Sequence, residues 1–125
     1  MKRFVKGTLA AFALAFAGVS QAQDAQAHGY LIANYDIKDQ ATFQAYMDAA
    51  GPLATEFGGR VIVFNPKAQA VEGKPRSVMA IVEFPSLADA QRFYNSPEYS
   101  AAKRLRVQAT EGTVIMTEGY VPAPQ

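Results

Sequence analysis

Cysteine is absent from all 125 residues. That removes disulfides, thiolate metal sites and cysteine nucleophiles together, and it leaves packing or self-association to stabilise the chain. Histidine occurs once, at His28. An imidazole-pair metal site is therefore excluded, and a haem ligand or a triad histidine would have to come from that one position, near the start of the chain. No Gly-x-Ser-x-Gly elbow occurs, and no Asp/Glu pair has the local spacing of a carboxylate metal site. The reading is of a chain with no cofactor and no metal. It has no cluster spaced like a known catalytic constellation, so the residues leave open whether it is an enzyme.

There is one long apolar run, from Leu9 to Val19, behind a basic start at Lys2, Arg3 and Lys6 and before a Ser20-Gln21-Ala22 exit. This three-part pattern predicts a cleaved secretory signal over residues 1–22, with Ala27 as an alternative cut site. The run is shorter than the ~20 residues that a membrane-spanning helix needs, so no membrane segment is expected after cleavage. The expected location is periplasmic or secreted. Three of the twelve basic residues lie in this leader, which leaves nine basic against eleven acidic side chains in the mature chain. That balance gives no support to nucleic-acid binding.

Residues 23–29 are small and polar and read as a flexible tail. What remains, residues 30–121 with a frayed end at 122–125, is enough for one domain with one core. Tyr30–Ile37 is rich in aromatic and β-branched residues and reads as a strand. Asp39 can cap a helix whose apolar stripe is Phe43, Tyr46, Met47, Ala50, Leu53 or Ala54, and Phe57. Pro52 predicts a kink or restart in it, and Gly58-Gly59 an end. Phe43 and Tyr46 are read as core.

Arg60–Asn65 is a second strand. A polar loop follows from Asn65 to Arg76, with a short extra strand at Ala70–Glu72, and Ser77–Phe84 is a central strand. Ser86 to Asp89 starts a second helix in the manner of a capping box, and Ser96-Pro97 restarts it through to about Arg106. Thr113–Tyr120 is the last strand. The order β-α-β-β-α-β predicts an α+β, ferredoxin-like split βαβ protomer with a four-stranded antiparallel sheet.

Strand parity divides the sheet into two faces. Leu31, Ala33, Tyr35, Ile37, Val61, Val63, Val78, Ala80, Val82, Phe84, Thr113, Ile115 and Thr117 are assigned beneath the helices. The opposite face is assigned Tyr30, Ile32, Asn34, Asp36, Arg60, Ile62, Phe64, Met79, Ile81, Glu83, Val114, Met116, Glu118 and Tyr120. It has no helix to cover it, so a homodimer through the sheets is expected. Such a dimer would enclose Arg60, Glu83 and Glu118 in a shared sheet-side cavity, where they are candidate catalytic or orienting groups. The alternative is that these charges stand at strand ends and reach water.

Several phrases look familiar together. They are Gly29-Tyr30, Tyr46, Gly51-Pro52, Gly58-Gly59-Arg60, Glu83-Phe84-Pro85-Ser86, Tyr94-Asn95-Ser96-Pro97-Glu98-Tyr99, Arg106 and Glu118-Gly119. In them the chain resembles the domain of unknown function 1330 (DUF1330) family of the dimeric α/β-barrel superfamily. The resemblance implies a protomer that dimerises through its sheets, which agrees with the parity argument. It implies no single reaction, since that superfamily spans cofactor-free monooxygenases, isomerases and haem enzymes.

The function expected is binding of a small aromatic or anionic molecule, with cofactor-independent monooxygenase or isomerase chemistry as one form of it. A non-catalytic periplasmic binding or stress module, or a purely structural dimer, is the alternative. Candidate ligand-binding residues are Tyr30, Asn34, Phe64, Tyr94, Tyr99 and Arg106. Tyr99 and Arg106 are seven apart and so share one helical face.

Overall fold

The computed structural model describes residues 26–125. The expected leader over residues 1–22 and the first residues of the tail lie outside them. The chain forms β1 (Gly29–Ile37), α1 (Gln40–Glu56), β2 (Arg60–Asn65), β3 (Val78–Phe84), α2 (Leu87–Asn95), α3 (Pro97–Ala109) and β4 (Thr110–Glu118). The four strands make one antiparallel sheet in the order β2-β3-β1-β4. This is the expected split βαβ arrangement.

Local chemistry sets the helix starts. Asp39 accepts the Thr42 amide at 3.0 Å. Ser86 accepts the Asp89 amide at 3.1 Å, and its hydroxyl donates to the Asp89 carboxylate at 2.8 Å. Ser96, buried, accepts the Tyr99 amide at 3.1 Å, with Pro97 in the first turn of α3 where its missing amide hydrogen costs nothing. α1 is one helix through Pro52, so of the kink or restart expected there the restart does not occur. Pro52 lies on the exposed side of the helix, where an interrupted hydrogen-bond ladder can be completed by water. The helix ends at Glu56, and past its cap residue Phe57 the chain turns away at Gly58, whose φ of +80° is the left-handed conformation that glycine adopts without strain.

Three other expectations are corrected. Ala70–Glu72 makes no strand. α3 continues to Ala109, and β4 starts at Thr110, three residues earlier than expected. His28 is not part of a loose tail, because its carbonyl accepts the Gly119 amide at 2.7 Å and so continues the β1–β4 ladder.

The core lies between the sheet and the three helices. Phe84, Ala90, Phe93, Tyr99, Ala102 and Leu31 form its larger part, and Tyr35, Phe43, Val78 and Ala109 a smaller one. Cross-strand pairing settles the faces. Leu31 pairs with Met116 and Ala33 with Val114, so Val114 and Met116 lie under the helices, and Thr113, Ile115 and Thr117 lie on the open face. This reverses the expected parity of β4. In β2 a bulge at Ile62 shifts the register between Val61 and Val63. One extra residue moves every later side chain to the other face. Val63 therefore joins Ile81 on the open face, and Phe64 joins Ala80 under the helices.

Candidate functional site

Two rows of residues run across all four strands, one on each face. On the helix side the row is Phe64, Ala80, Ala33, Val114. Two alanines at its centre leave the sheet shallow there. The inner face of α1 above it carries Ala50, Gly51 and Ala54, which are also small. The gap between them is a cavity of about 90 Å3, apolar over most of its wall. Its mouth is at Gly51, Val61 and Phe64, which are the exposed members of the lining.

The polar part of that wall comes from three elements. Tyr46 of α1 and Tyr99 of α3 place their hydroxyl oxygens 2.9 Å apart. The Arg106 Nε of α3 donates to the Tyr99 oxygen at 3.4 Å, the long end of hydrogen-bond range. Tyr35 of β1 completes the group. Burial pushes the Tyr35 phenol up to about 12, with the Arg106 charge opposing it. Burial also raises Tyr46, helped by Tyr99. Both therefore stay protonated at neutral pH and serve as hydrogen-bond donors rather than bases. No Asp, Glu or His lines the cavity among the described residues. What the wall offers is a chain of phenols ending in a guanidinium, suited to holding an oxygen-bearing group at the end of an apolar body.

The charged residues expected on the open face come together only in part. Arg60 and Glu83 are cross-strand partners, with Nε and Nη2 donating to Glu83 Oε1 at 3.1 and 3.0 Å. Tyr30 donates to the other carboxylate oxygen at 3.1 Å. Those bonds, that from Arg60 first, hold Glu83 below the usual carboxylate range against desolvation, so it is ionised. The Arg60 side chain is 75% exposed. In the single chain the Arg60–Glu83 ion pair borders a shallow, open surface pocket beside His28, and Glu83, being ionised, is not a proton donor there.

Glu118 is not with them. It pairs with Gly29, which has the parity of Leu31, so it stands on the opposite face at the end of β4. The reversed parity of β4 is the reason.

The remaining candidates separate as clearly. Asn34 is fully engaged in holding the end of the β2–β3 loop. It donates to the Arg76 and Val78 carbonyls at 2.9 Å each and accepts the Arg76 amide at 2.9 Å. Tyr94 packs on Tyr99, ring centroids 5.6 Å apart, with the Lys103 ammonium 4.7 Å from its own ring centroid, and lies outside the cavity lining. Phe64 does reach the site, but from the helix side, stacked on Phe43 at 6.4 Å. Tyr99 and Arg106 are brought together as their spacing predicts. Tyr46 and Tyr35 were missed, because an aromatic at core spacing gives no sign that its hydroxyl meets a cavity.

A family model described as Domain of unknown function (DUF1330) matches residues 28–120. No curated protein matches the chain in sequence. A protein of unknown function from Rhodopseudomonas palustris has a similar structure, with a TM-score of 0.58, 20% identity, and coverage of 86% of this chain and 92% of that one. SnoaB, a cofactor-independent oxygenase from Streptomyces nogalater, is similar at a TM-score of 0.57 and 10% identity, covering 81% of this chain and 100% of its own. A dabb family protein with a ferredoxin-like fold from Mesorhizobium loti gives a TM-score of 0.54 at 20% identity, covering 79% and 100%. At these identities the likeness is one of fold.

Proposed function

Since the chain belongs to the DUF1330 family, whose description assigns no activity, we propose from its own geometry that it binds a small, mainly apolar molecule in the cavity between α1 and the sheet. The observation that carries this is the cavity itself: alanine and glycine facing each other across a gap, with every polar lining group gathered at one wall. A well-packed interior has few voids larger than a water molecule. The proposal moves the binding site from the open sheet face, where the sequence led us to expect it, to the helix side.

A second reading, cofactor-independent enzyme chemistry of monooxygenase or isomerase type, is favoured by one feature. Aligned phenol and guanidinium donors can stabilise negative charge that develops on a substrate oxygen. Fold likeness to an oxygenase is compatible with this and adds no residue-level support.

Dimerisation through the sheets is part of the same proposal. It is supported by the second cross-strand row, Val63, Ile81, Ile32, Ile115, which runs apolar across the open face, with Ile115 55% exposed in the single chain. Export to the periplasm or medium is the remaining part, supported by the basic, apolar and small-residue pattern of residues 1–22.

Toluene tests the cavity reading. It should raise the melting temperature of the wild type, and Ala80→Leu, which fills the floor of the cavity, should abolish that rise while remaining folded. No rise in the wild type at saturating toluene, or an equal rise in the variant, would sink the proposal.

A further inference from the structure

We infer that the ligand of this cavity is an organic acid bound as its anion, a carboxylate on a single ring or a short apolar chain, with Arg106 as its counter-ion. The inference rests on the cavity reading above and adds the ligand's charge.

Arg106 is partly buried and lines the cavity. None of the ion pairs among the described residues includes it; Arg60, Arg76, Arg92 and Lys38 all have carboxylate partners. Withdrawing a cation from water is costly unless an anion or several acceptors replace the solvent. The chain supplies one weak acceptor, the Tyr99 hydroxyl oxygen at 3.4 Å. That bond uses Nε alone. Among the described residues the terminal nitrogens have no hydrogen-bond partner, and together they form the planar fork that matches a carboxylate.

The phenols point to the same ligand. With Tyr99 accepting from Arg106 and donating to Tyr46, the Tyr46 hydroxyl hydrogen is left to donate outward. A guanidinium fork and a phenol donor on one wall, with no acidic side chain in the lining, make a site for negative charge. A neutral polar ligand would leave the cation unpaired.

Size limits the body that carries the acid. An apolar cavity of ~150 Å3 accommodates benzene. At about 90 Å3 this one takes a short chain, or one ring that extends past Val61 and Phe64 into the mouth.

Benzoate and benzyl alcohol, equal in ring and different in charge, provide the test, with dissociation constants measured by NMR chemical-shift titration of the whole chain. Benzoate should bind the wild type about tenfold to hundredfold more tightly than benzyl alcohol, as charge-assisted hydrogen bonds imply. Arg106→Met should remove that advantage, bringing the affinity for benzoate down to that for benzyl alcohol in the same variant, and Arg106→Lys should restore part of it. Equal affinity of the wild type for the two probes would overturn the inference and leave the cavity reading standing. Binding of neither would overturn both. The wild-type comparison decides even if Arg106→Met does not fold.

Discussion

Tyr46 and Tyr99 lie 53 residues apart in the chain, and their hydroxyl oxygens meet at 2.9 Å. The contact joins α1 to α3 at the polar wall of the cavity, and Arg106 reaches the same oxygen of Tyr99 from one side. Tyr99 is therefore the central member of a three-group chain, and Tyr46 a terminal one.

Removing the central hydroxyl should cost more than removing a terminal one. Tyr99→Phe leaves both Tyr46 and Arg106 without a partner, whereas Tyr46→Phe leaves Tyr99 still paired with Arg106. We expect a loss of about 1–3 kcal/mol for Tyr99→Phe and about 0.5–1.5 kcal/mol for Tyr46→Phe, measured by urea unfolding. The reverse order would show that the chain is not continuous.

Alkaline pH should act through the same groups. The Tyr35 phenol is raised from 10.0 to about 12, and Tyr46 is raised too, in both cases chiefly by burial. The folded state thus holds these protons more tightly than the unfolded one. Their contribution is complete below the unfolded value of about 10 and is lost as pH climbs from there towards the folded value. Denaturant midpoints should fall above about pH 10, and less steeply in Tyr35→Phe. An identical alkaline limb in that variant would remove Tyr35 from the account.

The open sheet face makes a prediction about assembly. Ile81 sits in the middle of the apolar row, between Val63 and Ile32, while Gln91 is exposed on α2. Light scattering at micromolar concentration should give a dimer for the wild type and for Gln91→Glu, and a monomer for Ile81→Glu, because an unpaired charge in an apolar interface is strongly unfavourable. A monomeric wild type would refute sheet-to-sheet pairing.

Export can be read from mass. The protein recovered outside the cytoplasm should begin at Gln23, following cleavage after Ala22, or at His28 if the later site is used. A full-length species confined to the cytoplasm would contradict the proposal.

The element order was legible in the sequence because its signals are local. Asp39, Ser86 and Ser96-Pro97 start their helices through bonds that span three residues, and Gly58 turns the chain away past the end of one by its own φ. The Tyr99–Arg106 pair was legible too, since a separation of seven on one helix fixes a shared face. Which face of the sheet a strand presents is not a local property. β4 alternates Val114 and Met116 with Thr113, Ile115 and Thr117, and either set can satisfy a core; only its pairing with Leu31 and Ala33 chose. The bulge at Ile62, invisible in a run of apolar residues, carried Phe64 across the sheet to the mouth of the cavity. The cavity itself arises where Ala33 and Ala80 come side by side beneath Ala50 and Gly51. Each small residue reads as ordinary packing alone, and space between them exists only once strand register and helix placement bring them face to face.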